Sequence, residues 1–331
     1  MDITLGHASA LQCWRTLRRL HPVSSRFIEE ALPQPQPRLS FRSKPADLTL
    51  LRRTYDIKGK LHAVVSDDKL RHRHMNVMMH SWPDAVNAGD FVEVEPGVRL
   101  ASPSICFMQL CRNLNLVDCV LLAYELCSRY VVDDAGNLRE VPPLMSIAAA
   151  RRTIESSTLQ VKKTRALRAL ELAHENSRSP METELAVKLG MPARFGGFGL
   201  SGFKMNSMVG FGELGRTLTS KEYCSPDLLW ESCKLDVEYN GAEWHSGSEK
   251  MAEDMLRRQA LALEGYTVLT VDKGVIVNPQ RMRELANEIS LRVRGRRVRM
   301  RAATFESASR ELYARFAAWG SHVRLPIEVA K

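Results

Sequence analysis

An α/β fold is expected for the C-terminal half of this 331-residue chain, preceded by a mixed α+β N-terminal domain. Three observations predict it. Cys224–Trp230 and Lys234–Tyr239 alternate apolar and polar residues around a Glu-Ser-Cys-Lys connection, the pattern of a β-hairpin. Helix signals flank that hairpin, with Ser179-Pro180 ahead of it and Ser248 and Gly265 behind it. From Ser179 the order then reads helix, three strands, helix, strand, which builds a compact α/β unit.

Composition sets the frame. With 44% hydrophobic and 26% charged residues, the chain reads as a globular protein long enough for two cores. The expected division is an N-terminal domain at 1–160, an α/β domain at 177–290 and a basic helical tail at 291–331. Seven cysteines without any Cys-x-x-Cys exclude a disulfide framework or a structural zinc site of that type. Cys106, Cys111, Cys119 and Cys127 fall in apolar helical stretches and read as small buried hydrophobes, which fits a reducing cytoplasm. The first residues, MDITLGHASALQCW, lack a basic-then-apolar leader pattern. Leu116–Cys127 is the most apolar run, yet it is too short for a bilayer and carries Asp118 and Glu125. No membrane association is expected.

Charge is unevenly placed. Residues 291–331 hold ten Lys/Arg against three acids, whereas 177–290 hold thirteen against sixteen. A basic tail beside an acidic stretch suits a phosphate polymer together with a cation, although a solvated basic helix has the same composition. Arg292, Arg294, Arg296, Arg297, Arg299 and Arg301 are therefore expected to contact phosphates.

Along the chain, residues 1–30 suggest one or two short helices, and Leu32–Lys44 an extended Pro/Gln spacer. From Leu51 to Arg99 the pattern is strand-like, at Leu61–Val65, Asn76–His80 and Phe91–Val94. His72, His74 and His80 lie there among Lys69, Arg71 and Arg73. Their spacing does not enforce convergence on a metal, so a basic strand-and-loop surface is expected. Ser102-Pro103 opens a helix, a second runs from about Leu116 to Arg129, and Ala148–Ser156 and Lys162–His174 follow. Ser179-Pro180-Met181-Glu182 opens another helix with capping-box spacing, ending near Gly190. Gly197-x-Gly199-x-x-Gly202 follows a helix and precedes a strand at about 203–211, the reverse of a dinucleotide fingerprint. After the hairpin, Asn240-Gly241 marks a turn, and a helix to Glu264 carries Met251, Met255, Leu256 and Leu263 as its expected buried side. A strand at Tyr266–Val271 and a helix at Arg281–Arg292 complete the unit.

A turn centred between Ser232 and Cys233 pairs Trp230 with Leu235 and Asp227 with Glu238. Two opposed carboxylates repel, and a divalent cation held between them removes that cost. Pro226-Asp227 followed by Glu238 in the αβββαβ order resembles the PD-(D/E)xK nuclease superfamily. The closer likeness is to its branch related to very short patch repair endonucleases. The residues carrying it are VEYNGAEWH at 237–245, Asp254-x-x-Arg257, Leu261, Gly265-Tyr266-x-Val268 and Ser179-Pro180-Met181-Glu182, over about residues 177–275. In the N-terminal half, LGHASALQCW and RLASPSICFMQLCRNLNLVDCVLLAYELC resemble the region preceding such domains in bacterial AbiEi-type antitoxin or transcriptional-regulator proteins. Their usual winged-helix segment is not visible.

The resemblance implies a restriction-endonuclease-like core hydrolysing phosphodiester bonds, with DNA the expected polymer and a protein partner open to the N-terminal domain. Asp227 and Glu238 would hold Mg²⁺ or Mn²⁺, hard ions that favour carboxylate oxygens. Glu182 either completes that shell or only caps its helix. His245 either touches the reacting water or leaving oxygen or is a structural hydrogen-bonder. Asp254 and Arg257, one turn apart, form a surface ion pair unless Arg257 or Arg258 contacts phosphate. Asn240 stands where the superfamily has lysine and the close branch has aspartate. It can offer an oxygen but cannot act as a base. The alternative is a catalytically impaired nuclease-fold module that binds nucleic acid in an antitoxin-like regulator.

Overall fold

A computed structural model describes residues 1–20, 39–82, 84–158, 163–241, 248–300 and 302–320, with the backbone alone at 248–251, 302–303 and 318–320. The fold is mixed α/β, and the chain divides into two compact units, Met1–Ala173 and His174–Pro326. No helix among the described residues is long and apolar enough to cross a membrane.

The first unit opens with β1 (Asp2–Leu5), α1 (His7–Leu20), β2 (Phe41–Arg42) and α2 (Pro45–Thr54). It continues with β3 (Leu61–Val65), β4 (Val77–Ser81), β5 (Phe91–Glu95) and β6 (Val98–Ala101). Helices α3 (Pro103–Cys111) and α4 (Leu116–Cys127), the hairpin β7 (Tyr130–Val132)–β8 (Leu138–Glu140), α5 (Ile147–Ser156) and α6 (Lys163–Leu172) complete it. The main sheet is ordered β4-β3-β1-β6-β5, with β2 also paired to β1. β3–β4 and β1–β6 are parallel, and the other pairs are antiparallel. β1 is thus the middle of the sheet, although helices alone are expected before residue 30. Four residues are too few to show a period, and it is a strand because neighbours on both sides take its backbone groups. Ile3 and Leu5 are fully buried there. The helix starts follow capping chemistry: Ser102, Asn115 and Ser146 accept the amides of Ile105, Asp118 and Ala149. Cys106, Cys111, Cys119 and Cys127 are buried free thiols.

The second unit begins with α7 (Pro180–Gly190), whose N-cap Ser179 Oγ accepts the Glu182 amide at 3.1 Å. β9 (Lys204–Met205), β10 (Val209–Gly210), α8 (Glu213–Thr219), β11 (Tyr223–Cys224), β12 (Leu228–Trp230) and β13 (Leu235–Tyr239) follow. Then come α9 (Ser248–Leu263), β14 (Thr267–Val271), the single turn α10 (Lys273–Ile276), α11 (Pro279–Arg294) and α12 (Ala302–Gly320). The sheet is ordered β14-β13-β12-β9, with β13 and β14 parallel and the other pairs antiparallel.

The hairpin has the register inferred from its turn, with Trp230 opposite Leu235 and Leu228 opposite Val237. Its connection is a 3₁₀ turn, Glu231–Cys233, closed by Lys234 in the left-handed region at φ 48°. Four expectations need correction. The strand foreseen at 224–230 is two pieces, because β11 pairs with β10 in a separate ribbon and Ser225–Asp227 leave the ladder. The strand foreseen at 203–211 is likewise split, and α8 stands between its end and β11. Met255 and Leu263 are exposed, and α9 instead buries Ala260 and Leu261 against Val209, Phe211, Cys224 and Leu229. The segment expected as a separate helical tail is divided as well. Its first residues end α11, residues 295–300 are non-helical, and α12 lies in the same unit, packed on α7.

Trp230 is 1% exposed, stacks obliquely on Phe203 and donates its indole N–H to the Ser201 carbonyl at 3.2 Å. Trp230→Ala is expected to cost about 3–5 kcal/mol. The measurement is a fall in the urea midpoint with unchanged m-value, and a midpoint unchanged from wild type would contradict the packing described.

Candidate functional site

β13 is buried on both faces, yet it carries two acids. Leu235 and Val237 point one way, Asp236 and Glu238 the other, and all four are at most 4% exposed. The acidic face is shared with Leu229, which lies opposite Asp236 and packs towards α9. Arg257 reaches from α9 onto this face. Its guanidinium donates two hydrogen bonds to Glu238, each 2.9 Å long, while Asp254 sits 3.8 Å from it on the outer side.

Asp227 stands just before β12, where the next rung of the register would face Glu238. The ladder stops there, and the Asp227 side chain replaces it by accepting the Tyr239 amide at 2.7 Å. Glu182 joins from the first turn of α7. Its Oε2 accepts the Arg178 amide at 2.9 Å and the Asn206 side-chain N–H at 2.7 Å. The carboxylate caps the residue before Ser179 and also ties the helix start to the loop after β9. The expected capping role is therefore present, one residue displaced.

Four carboxyl groups with one guanidinium between them cannot all be ionised at low cost. Burial, with the Glu238 charge and a hydrogen bond shared with the Glu238 carboxyl added, pushes the Asp236 carboxyl up to about 10. Burial, together with the charges of Glu238 and Glu182, holds Asp227 well above the usual carboxylate range. Burial also raises Glu182, against the bonds from Arg178, Asn206 and Ser179. At neutral pH this cluster therefore stores protons. Its donor set is all oxygen, which suits a hard divalent cation, and binding such an ion would release those protons. Among the described residues, however, no three of these carboxylates bring ligand atoms within 4.8 Å of one another. Arg257 holds the counter-charge position.

The remaining expected residues are scattered. Asn240 is exposed just past the end of β13, with its amide bonded to the Val271 carbonyl at 2.7 Å. His245 and Arg301 lie outside the described residues. Arg257, expected at a phosphate or in a surface pair with Asp254, keeps that pair at 3.8 Å and makes its shorter bonds inward onto Glu238. Arg258 is half-buried, and its Nε has no partner. Arg292 pairs with Glu288 on its own helix, and Arg294 donates to the Gly199 carbonyl. Arg296, Arg297 and Arg299 are exposed in the segment after α11.

Asp236 was not among the expected site residues. Alternation places it beside Glu238, and that was the available signal. A second cluster, in the first unit, was missed because its members are far apart in sequence. His7, His62 and His80 meet there, and His72 and His74 stay exposed and apart from them. No family model, no curated protein and no solved structure matches this chain.

Asp236 sets a pH test. An unfolded Asp loses its proton near pH 3.9, whereas the folded carboxyl keeps it to about 10. Across that window the native state holds one more proton than the unfolded chain. Stability therefore falls as pH rises, by at most about 1.4 kcal/mol per pH unit for this one group. Asp236→Asn is neutral at every pH, so its Tm is expected to fall less steeply with pH than that of wild type. Parallel Tm–pH curves would exclude a protonated Asp236.

Proposed function

We propose that the second unit is a PD-(D/E)xK-type, divalent-cation-dependent phosphodiester hydrolase acting on nucleic acid, with DNA as the expected polymer. The observation that carries this reading is the carboxylate excess on β13 and beside it. Asp227 and Asp236 are pushed to retain protons by burial and by the Glu238 charge beside them. The arrangement α7, β9, β12, β13, α9, β14 supports it too, since it follows the αβββαβ order around α8 and the β10–β11 ribbon.

Asp227 and Glu238 would hold Mg²⁺ or Mn²⁺, with Glu182 beside them. The ion would supply charge stabilisation at the phosphate and a lowered pKa for a water. Arg257 must then turn from Glu238 to free its oxygens. The Tyr239 amide keeps the Asp227 carboxyl oriented throughout, and Asn206 does the same for Glu182.

A second reading is favoured by one observation. Arg257 already satisfies both Glu238 oxygens, so the ion pair can stand in permanently for the cation. The unit would then bind nucleic acid without cutting it, as Asn240 in place of a lysine also suggests. Plasmid nicking by the full-length protein in Mg²⁺ and in Mn²⁺ separates the two. Hydrolysis predicts nicking that falls at least about 100-fold in Asp227→Ala and in Glu238→Ala, since the ion contributes several kcal/mol. Equal cleavage by all three proteins would mark a contaminant and overturn the enzyme reading. Binding without cleavage would select the second.

Either reading expects Arg296, Arg297 and Arg299 to lie on phosphates. Replacing all three by Gln is expected to flatten the plot of log K against log salt by roughly 0.9 per lost contact on duplex DNA. An unchanged slope and affinity would remove this segment from the interface.

A further inference from the structure

The three histidines of the first unit are brought together by backbone features of three neighbouring elements. β3 and β4 run parallel, with Val64 beside His80, so His62 and His80 share one face of the sheet. His7 follows β1 directly and begins α1. Gly6 makes this passage possible, because a Cβ there would lie 2.4 Å from Val64 Cγ2 and 2.9 Å from Gln109 Oε1. His7 itself has φ 51°, a left-handed conformation rare outside glycine. It is held there by its amide bond to Gln109 Oε1 at 2.7 Å. The His62 amide donates to Ser9 Oγ at 2.9 Å, which ties β3 to the same helix start.

The rings meet as a stack. His7 lies 3.8 Å from His80 between ring centroids, and His62 lies 5.1 Å from His80 on its other contact. His62 Nδ1 and His80 Nε2 are 2.9 Å apart, and one ring nitrogen from each of the three falls within 4.8 Å of the others. Burial lowers all three below the ordinary imidazole range, His80 to about 4, so each is neutral at physiological pH and carries one lone pair, that of either His62 or His80 accepting the bond between them. Arg112 acts on both His7 and His80, Arg71 acts on His80, and no carboxylate figures among their charged neighbours. A salt-bridged histidine core would have an acid there.

We propose that His7, His62 and His80 form a tri-histidine site for a borderline divalent transition ion of the zinc class, with its fourth position open. Imidazole nitrogens suit such ions and not Mg²⁺ or Ca²⁺. With Zn–N bonds of about 2.0–2.1 Å, two nitrogens on a tetrahedral ion stand about 3.3–3.4 Å apart, so the 2.9 Å pair must open and the near-parallel rings must turn for their nitrogens to face one ion. The arginine side of the cluster favours an anionic group at the open position. This site is independent of the carboxylate cluster, which differs in unit, donor atoms and preferred ion.

The test is calorimetric titration of chelator-treated full-length protein with Zn²⁺, alongside Co²⁺ absorption. Wild type is expected to bind one Zn²⁺ per chain. His80→Gln, at the least buried of the three, should lose more than the about 100-fold that removal of an outer-shell partner costs. The His72→Ala/His74→Ala double variant should bind as wild type does. Absence of stoichiometric Zn²⁺ binding by wild type overturns the proposal, as does wild-type affinity in His80→Gln. If His80→Gln does not fold, the Co²⁺ spectrum of wild type decides. An intense four-coordinate band supports the site, and a weak six-coordinate band refutes it.

Discussion

The second unit depends on how one strand survives with two acids in its middle. β13 is an inner strand of its sheet, and the side chains of residues 235–238 are removed from water on both faces. A buried carboxylate is tolerated only if it is paired, hydrogen-bonded or protonated. Each of these solutions appears here. Glu238 is paired with Arg257, Asp227 and Glu182 accept backbone and amide hydrogens, and Asp236 keeps its proton. Replacing this group by apolar residues of similar size would relieve the strain in most folds.

The two units hold contrasting donor sets. One gathers oxygens in carboxyl groups that must lose protons before they can bind a cation. The other gathers imidazoles that burial keeps unprotonated, so their lone pairs are ready. Hard and borderline ions would sort between them by ligand chemistry alone.

Several features were legible in the residues. The hairpin register followed from its turn length and alternation, because a slip of one residue would exchange the two faces of β13. Helix starts at Ser102 and Ser179 were visible because a cap is a local side-chain bond. Short strands were not. β1 and the split pieces β9, β10 and β11 have two to four residues each, and pairing partners rather than periodicity define them. The buried side of α9 was misjudged for a similar reason. Met255 and Leu263 are apolar, but the neighbours that could cover them lie on the side of Ala260 and Leu261.

The sequence by itself determined the acids near the hairpin, their place in the strand alternation and the helix carrying Glu182, because these rest on spacing within about a dozen residues or on caps. Only the tertiary structure decided what each charge meets. Arg257 reaches inward onto Glu238, Asp236 is buried beside the same carboxyl, and three histidines separated by long stretches of chain become neighbours. Those outcomes depend on which elements pack together. Burial then converts proximity into charge state, by penalising every ion that packing has taken from water.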